Sequence, residues 1–428
     1  MMEWWVIVEA LIQLPPIIWL CSLGPMGWLK LLISLLIVSL SYYYLVLPLN
    51  WKRDLSDVSY SHEARGKSKC QAVRDVRRRR KLGNLPPVYP NGWFMLLEAD
   101  LLAPGQVRHV AALGENFAVF RTQEGEVHVL DAYCPHLGAN MGVGGAVRGD
   151  CLECPFHGWR FRGSDGKCTA VPYSEKVPEF AKVKRWESCE VNTVIFVWYH
   201  AEDEPPSWRP QDVPNVKNGV WHYRGRSEFM INSHIQEIPE NGGDLAHLNA
   251  IHGPSVLAGS DLHSVERLIT SFARHVWSAT WAPHEEPDMA HAATMRLQHE
   301  VRLFNKLSLV SMNVRAEQIG PGYVEMYLDT SLGPLFIVQC VTPIEPLLQR
   351  VVHRIFCPPL LSIYATFVLV GEAIMFERDI MVWNHKKYED KPLLVREDRA
   401  IQRHRRWYSQ FYSDNSPRFS FLRENMEW

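Results

Sequence analysis

Cys134-Pro135-His136-Leu137-Gly138 and Cys154-Pro155-Phe156-His157-Gly158 are the stretches on which the reading of this chain turns. Each sets a cysteine and a histidine two or three residues apart and follows them with glycine. Two such pairs supply what a Rieske [2Fe–2S] cluster needs: Cys134 and Cys154 hold one iron as thiolates, and His136 and His157 hold the other as imidazoles. Replacing two thiolates by neutral imidazoles lowers the negative charge on the cluster and raises its reduction potential. A structural zinc site uses the same residue types, but C-x-H is tighter than the usual zinc knuckle, and both pairs begin Cys-Pro.

Outward from that motif, 428 residues leave room for two or three domains. The net charge of −2 gives no electrostatic case for nucleic acid. The nine cysteines are odd in number and widely spaced, which argues against a disulfide framework and for a reducing compartment. The amino terminus stands apart. Leu31 to Pro48 carries no charge, and extended back to Met26 it reaches the length of a membrane span, with Tyr42, Tyr43, Tyr44 and Trp51 as interfacial aromatics. An earlier apolar stretch from Trp4 to Leu23 is broken by Glu9, Gln13 and Pro15-Pro16, so residues 1–50 read as an anchor of one or two segments. A cleaved signal peptide is the competing reading, and it would send an iron–sulfur site to an oxidising lumen. The basic stretch that follows, ending in Arg77 to Lys81, places the rest of the chain on the cytoplasmic side. Residues 51–90 read as a basic polar linker.

Residues 91–204 alternate in the manner of short strands. Phe117 to Phe120 and Val127 to Leu130 form a hairpin that leads into Cys134, and Val194 to Trp198 closes a small β-rich domain. Pro205-Pro206 and Pro210 mark a boundary. Beyond it, residues 205–428 mix strands (Val220 to Arg224, Phe336 to Val341) with helical stretches (Ile235 to His252, Phe367 to Tyr388), an α+β domain with room for an enclosed pocket. No G-x-G-x-x-G lies at a strand–helix junction, so there is no nucleotide-binding signature of that kind, and electrons must come from a separate reductase.

Asp244-Leu-Ala-His247-Leu-Asn-Ala-Ile-His252 is the second constellation. Two imidazoles and one carboxylate form the facial triad of non-haem Fe(II) sites. His252 lies five residues past His247, so the two converge only where the helix loosens, and Gly253-Pro254 ends it there. Glu372, Glu377 and Asp379 are candidates for the carboxylate. Glu377 and Asp379 have equally apolar neighbours, and pattern alone does not choose between them.

The two motifs together resemble the Rieske oxygenases, whose D-x2-H-x4-H is matched by Asp244, His247 and His252. Glu377-Arg-Asp-Ile-Met-Val-Trp-Asn384 is similar to the segment in which that family's aspartate binds the mononuclear iron, which selects Asp379. From Trp93 onward, Val341 to Arg354, Asp379 to His385 and the N-terminal segment resemble the Neverland family of cholesterol 7-desaturases, with bacterial 3-ketosteroid 9α-hydroxylases more distant. The resemblance implies a β-rich Rieske domain followed by a helix-grip-like catalytic domain, and conversion of cholesterol to 7-dehydrocholesterol with O2 and NAD(P)H-derived electrons in steroid hormone synthesis. The alternative is hydroxylation of another lipophilic ring. It further implies a homotrimer in which Asp244 links the iron site to a cluster histidine of the neighbouring subunit, at the endoplasmic reticulum membrane.

Overall fold

The computed structural model describes residues 24–42, 47–60, 63–263, 272–304 and 306–419, in two compact units, Met1–Leu49 and Asn50–Trp428. In the first, helix α1 (Pro25–Ser41, 17 residues) starts with proline in its first turn, where the missing N–H has no partner to lose. Leu32, Leu35, Leu36 and Ile37 are exposed on successive faces of it. The apolar stretch before Gly24, with Tyr43 and Tyr44, lies outside the described residues.

The second unit begins where a linker was expected, and it is folded. Strand β1 (Leu49–Arg53) forms one edge of the largest sheet. Helix α2 (Lys69–Arg79) is closed by a capping box: Ser68 Oγ accepts from the Gln71 amide at 3.2 Å, and Gln71 Oε1 accepts from the Ser68 amide at 3.1 Å. Ala72, Val73 and Val76 bury one face of this helix. The arginine run is not wholly solvated. Arg80 turns inward and donates to the carbonyls of Lys386 (2.7 Å) and Trp383 (3.1 Å), at and just past the end of a later helix.

Three small antiparallel sheets follow. Strands β2 (Gly92–Glu98), β3 (Val107–Ala112), β4 (Glu115–Arg121) and β5 (Val127–Asp131) come first. Then come β6 (Ala146–Arg148), β7 (Cys151–Glu153), β8 (Arg160–Arg162) and β9 (Cys168–Ala170). β10 (Arg185–Trp186), β11 (Ser188–Val191) and β12 (Val194–Tyr199) complete the set. The orders are β10-β5-β4-β3, β11-β12-β2 and β6-β7-β8-β9. The β4–β5 hairpin expected from sequence is present.

The catalytic half is built on an eight-stranded sheet ordered β1-β13-β19-β18-β17-β16-β15-β14. Its members are β13 (His222–Ile231), β14 (Ala273–Pro283), β15 (Ala292–Leu303), β16 (Leu307–Ile319), β17 (Tyr323–Thr330), β18 (Gly333–Glu345) and β19 (Leu348–Cys357). The single helix expected over Ile235 to His252 is instead two 3-10 turns, Ile235–Glu237 and Pro239–Gly242, and then α3 (Leu245–Ile251). Pro239 and Gly242-Gly243 break it. Helix α4 (Ser362–Trp383) packs on β13 and β19, and α5 (Arg399–Tyr408) packs on β14.

The Rieske and catalytic halves share one core, in which Phe94, Leu96 and Phe117 lie with Phe229, Val351, Phe376 and Ile380. Thr342 Oγ1 donates to the Met95 carbonyl at 2.8 Å, and Arg350 to the Leu96 carbonyl at 3.0 Å. Glu98, 1% exposed, is met by Arg226 and by Arg350 at 3.4 Å. Removing one partner of such a buried set costs roughly 3–5 kcal/mol, so this contact fixes the two halves against each other.

Candidate active site

The two cysteine–histidine loops are built alike. Gly138 donates to the Cys134 carbonyl at 2.9 Å and Gly158 to the Cys154 carbonyl at 3.1 Å, with φ of 73° and 72°. Each loop therefore turns back through a left-handed residue, the conformation that favours glycine. Cys134 and Cys154 are buried, and the His136 and His157 rings lie 4.8 Å apart. Trp159 stacks on His136 at 4.8 Å and is held by its indole N–H donating to Tyr173 at 2.8 Å. Burial pushes the Cys134 thiol up to about 11; the amides of His136 and Leu137 oppose this, while Cys154 adds to it. A metal would displace both protons. His136 Nδ1 is buried without a partner. Paired thiols, facing imidazoles and this orphaned nitrogen fit a [2Fe–2S] cluster.

The second set closes on a single point. Ligand atoms of His247, His252 and Asp379 lie within 4.8 Å of one another, and His252 Nε2 is 3.2 Å from Asp379 Oδ2. The helix loosens where the spacing requires it. α3 ends at Ile251 and His252 is its C-cap, with φ −96° and ψ −2°. Asp244 is the N-cap, and its carboxylate accepts from the His247 amide at 3.4 Å. Its backbone carbonyl accepts from His247 Nδ1, which leaves Nε2 free for a metal. His252 Nδ1 is buried and unpartnered. Two imidazoles and a carboxylate with open positions fit iron(II).

The structure separates the candidate acids. Glu377 is engaged elsewhere: it accepts from Trp51 (3.2 Å), Arg53 (2.8 Å) and Ser260 (2.7 Å). Glu372 lies 3.0 Å from His353. Of the three acids, Asp379 alone joins the histidine pair.

Sequence reading missed two features. Arg378, wholly buried, donates to the carbonyls of Ile251, Pro254, Ser255 and Gly259 at 2.8–3.1 Å. It ties the segment that carries His252 to the helix that carries Asp379. His275 and His299 are hydrogen bonded at 2.7 Å beside Trp277, whose indole donates to the His252 carbonyl at 3.1 Å. Burial pushes His275 down to about 4 and His299 to about 3, so both are neutral at pH 7. Neither feature leaves a spacing pattern.

The triad opens into a cavity of about 460 Å³ between α4 and the sheet, a size suited to a small organic ligand. Its wall is mostly apolar, with Leu297, Val314, Leu328, Ile337, Met375 and Phe376 among the lining residues.

Two family models match the chain: the Rieske [2Fe-2S] domain over residues 92–181 and the 3-ketosteroid 9alpha-hydroxylase C-terminal domain over residues 197–412. Cholesterol 7-desaturase nvd of Xenopus laevis is 49% identical over 95% of this chain and 90% of its own. The Drosophila melanogaster protein of that name is 41% identical over 89% and 90%. A probable 3-ketosteroid-9-alpha-monooxygenase oxygenase component from Rhodococcus rhodochrous is 30% identical over 78% and 82%. Among solved structures, dicamba monooxygenase bound to dicamba matches in fold, with a TM-score of 0.53 and 15% identity over 76% of this chain and 98% of that one. A two-centre site of this kind, in a chain so similar to those desaturases along almost its whole length, has one placement: the chain belongs to the cholesterol 7-desaturase family of Rieske oxygenases.

Proposed function

We propose that this chain is a sterol 7-desaturase that converts cholesterol to 7-dehydrocholesterol. The observation that carries the reading is the His247–His252–Asp379 set opening into an apolar cavity, in a member of this family. O2 accepts four electrons and leaves as water. Two come from the C7 and C8 C–H bonds, and two come from NAD(P)H through a separate reductase. When bound, the cluster supplies electrons one at a time and the iron activates O2.

The residues of the chain do the rest. Cys134, Cys154, His136 and His157 hold the cluster, and His247, His252 and Asp379 hold the iron. Asp244 orients His247 through the carbonyl contact, and Arg378 holds the His252 segment against α4. The apolar wall binds the ring system and excludes water, which protects a reactive site from side reactions.

Membrane attachment belongs to the same proposal. α1 exposes leucine and isoleucine on successive faces, as a helix covered by lipid would, and a sterol is itself a membrane solute. Among the described residues α1 is shorter than a full span, and Pro359–Trp383 is the helix long and apolar enough to cross a membrane. It carries buried Arg378 and Asp379, and we read it as the cavity wall. The catalytic unit then faces the cytoplasm at the endoplasmic reticulum. Around the cluster loops Leu137 and Phe156 are 64% and 60% exposed, which suits a neighbouring subunit of a trimer there, with Asp244 as the link between centres.

Expression in cells supplied with cholesterol, followed by mass spectrometry, tests the reading. The expected product is lighter than cholesterol by two hydrogens. A product heavier by one oxygen would favour the hydroxylase alternative, for which the match to the 3-ketosteroid 9alpha-hydroxylase domain is the supporting observation.

A further inference from the structure

The cavity wall carries one acid that the metal set does not use. Glu372 lines the cavity from α4, and its Oε2 is shielded from solvent with no hydrogen-bond partner. Its other oxygen is held by His353 Nδ1 at 3.0 Å. His353 is itself 1% exposed, shares the same Nδ1 with Ser227 Oγ at 3.2 Å, and stands opposite Gln339 across the β18–β19 pair. Gln339 also lines the cavity. A carboxylate oxygen left unpaired against an apolar wall is costly, and a hydrogen-bond donor on the ligand would relieve that cost.

Position gives that donor an identity. Glu372 and Asp379 are seven residues apart on one helix, so they share a face about 10 Å apart along the axis. In a sterol the ring that bears the hydroxyl adjoins the ring that bears C7. Holding the hydroxyl at Glu372 therefore presents C7 toward the metal-ligand set.

We propose that Glu372, oriented by His353, accepts the hydrogen bond of the sterol's 3β-hydroxyl and sets which carbon faces His247, His252 and Asp379. This rests on the sterol reading above and deepens it. A carboxylate only accepts hydrogen bonds, so the site favours a 3-hydroxysteroid and disfavours a 3-ketosteroid, whose oxygen has no proton to give. His353 is a positioning residue: it acts through Glu372.

The test uses the full-length protein with both metal centres and no reductant, so that binding is read without turnover. Cholesterol, cholest-5-ene (no hydroxyl) and cholest-5-en-3-one are titrated against the fluorescence of Trp277 and Trp281, which line the cavity. The parent should bind cholesterol tenfold or more tighter than either analogue. Glu372→Gln, whose NH2 can donate to a ketone and to a hydroxyl alike, should lose the preference for cholesterol over the ketone while keeping one over cholest-5-ene. Glu372→Asp, which keeps the charge but draws it back, should weaken cholesterol without favouring the ketone. A parent indifferent to the hydroxyl, or a Glu372→Gln protein with the parent's preferences, overturns the inference. The parent's own preference needs no variant to fold. Product analysis after adding reductant is a separate readout. Selective hydroxyl binding with a hydroxylated product would support the role of Glu372 while refuting desaturation.

Discussion

At the residue scale the iron site depends on side chains that never touch the metal. Arg378 donates to four carbonyls between Ile251 and Gly259, and Arg378→Ala would take that donor from each of them, although Ser255 keeps the Ala258 amide. The expected loss is about 3–5 kcal/mol, read as a lowered unfolding midpoint with weaker retention of the mononuclear iron. Arg378→Lys should recover only part, because an ammonium lacks the planar fork. Normal stability in Arg378→Ala would remove this role. The ligand types were legible in sequence because cysteine, histidine and aspartate at fixed spacings announce themselves. Arg378 was not, since its partners are backbone carbonyls. Nor could pattern separate Glu377 from Asp379. The difference lies in Trp51, Arg53 and Ser260, brought to Glu377 by distant parts of the chain.

At the scale of elements, the short helix α3 starts at the Asp244 cap and ends at His252, just before Gly253-Pro254. Asp244→Ala removes the cap, at a cost of about 1 kcal/mol. Asp244→Asn keeps a good cap, so its unfolding midpoint should stay near the parent's while transfer of electrons from cluster to iron slows. If rapid single-turnover kinetics show Asp244→Asn reducing the iron at the parent's rate, Asp244 is a cap and not a link between centres. The helix expected over 235–252 was misread because its apolar residues carry through Pro239 and Gly242-Gly243, which were passed over as breaks. Residues 69–79 were misread for the opposite reason. Their arginines dominate the composition, while Ala72, Val73 and Val76 make a narrow apolar face that is easily lost among them.

At the scale of the whole molecule, the strand order of the eight-stranded sheet was not legible. Local alternation finds strands, but the pairing of β13 with β19, more than a hundred residues away, is decided by the assembled core. The assembled fold also buries histidines that must stay neutral. Burial pushes His234 down to about 4 and His404 to about 3. The unfolded chain protonates these groups near pH 6.5, so below that pH it binds more protons than the folded chain, and stability falls as pH falls. At pH 5 each group should cost about 2 kcal/mol relative to pH 7. Denaturant unfolding at the two pH values checks this, and equal stability would contradict it.

Two separate iron centres beside one sterol cavity can be counted apart, and a metal count on Asp379→Ala does so. The parent should contain three irons and two labile sulfides per chain. Asp379→Ala should contain two irons and two sulfides, with the Rieske signal unchanged in electron paramagnetic resonance and no 7-dehydrocholesterol formed. A parent with only the two cluster irons, or an Asp379→Ala protein that keeps the third iron and its activity, would mean that His247, His252 and Asp379 hold no catalytic iron.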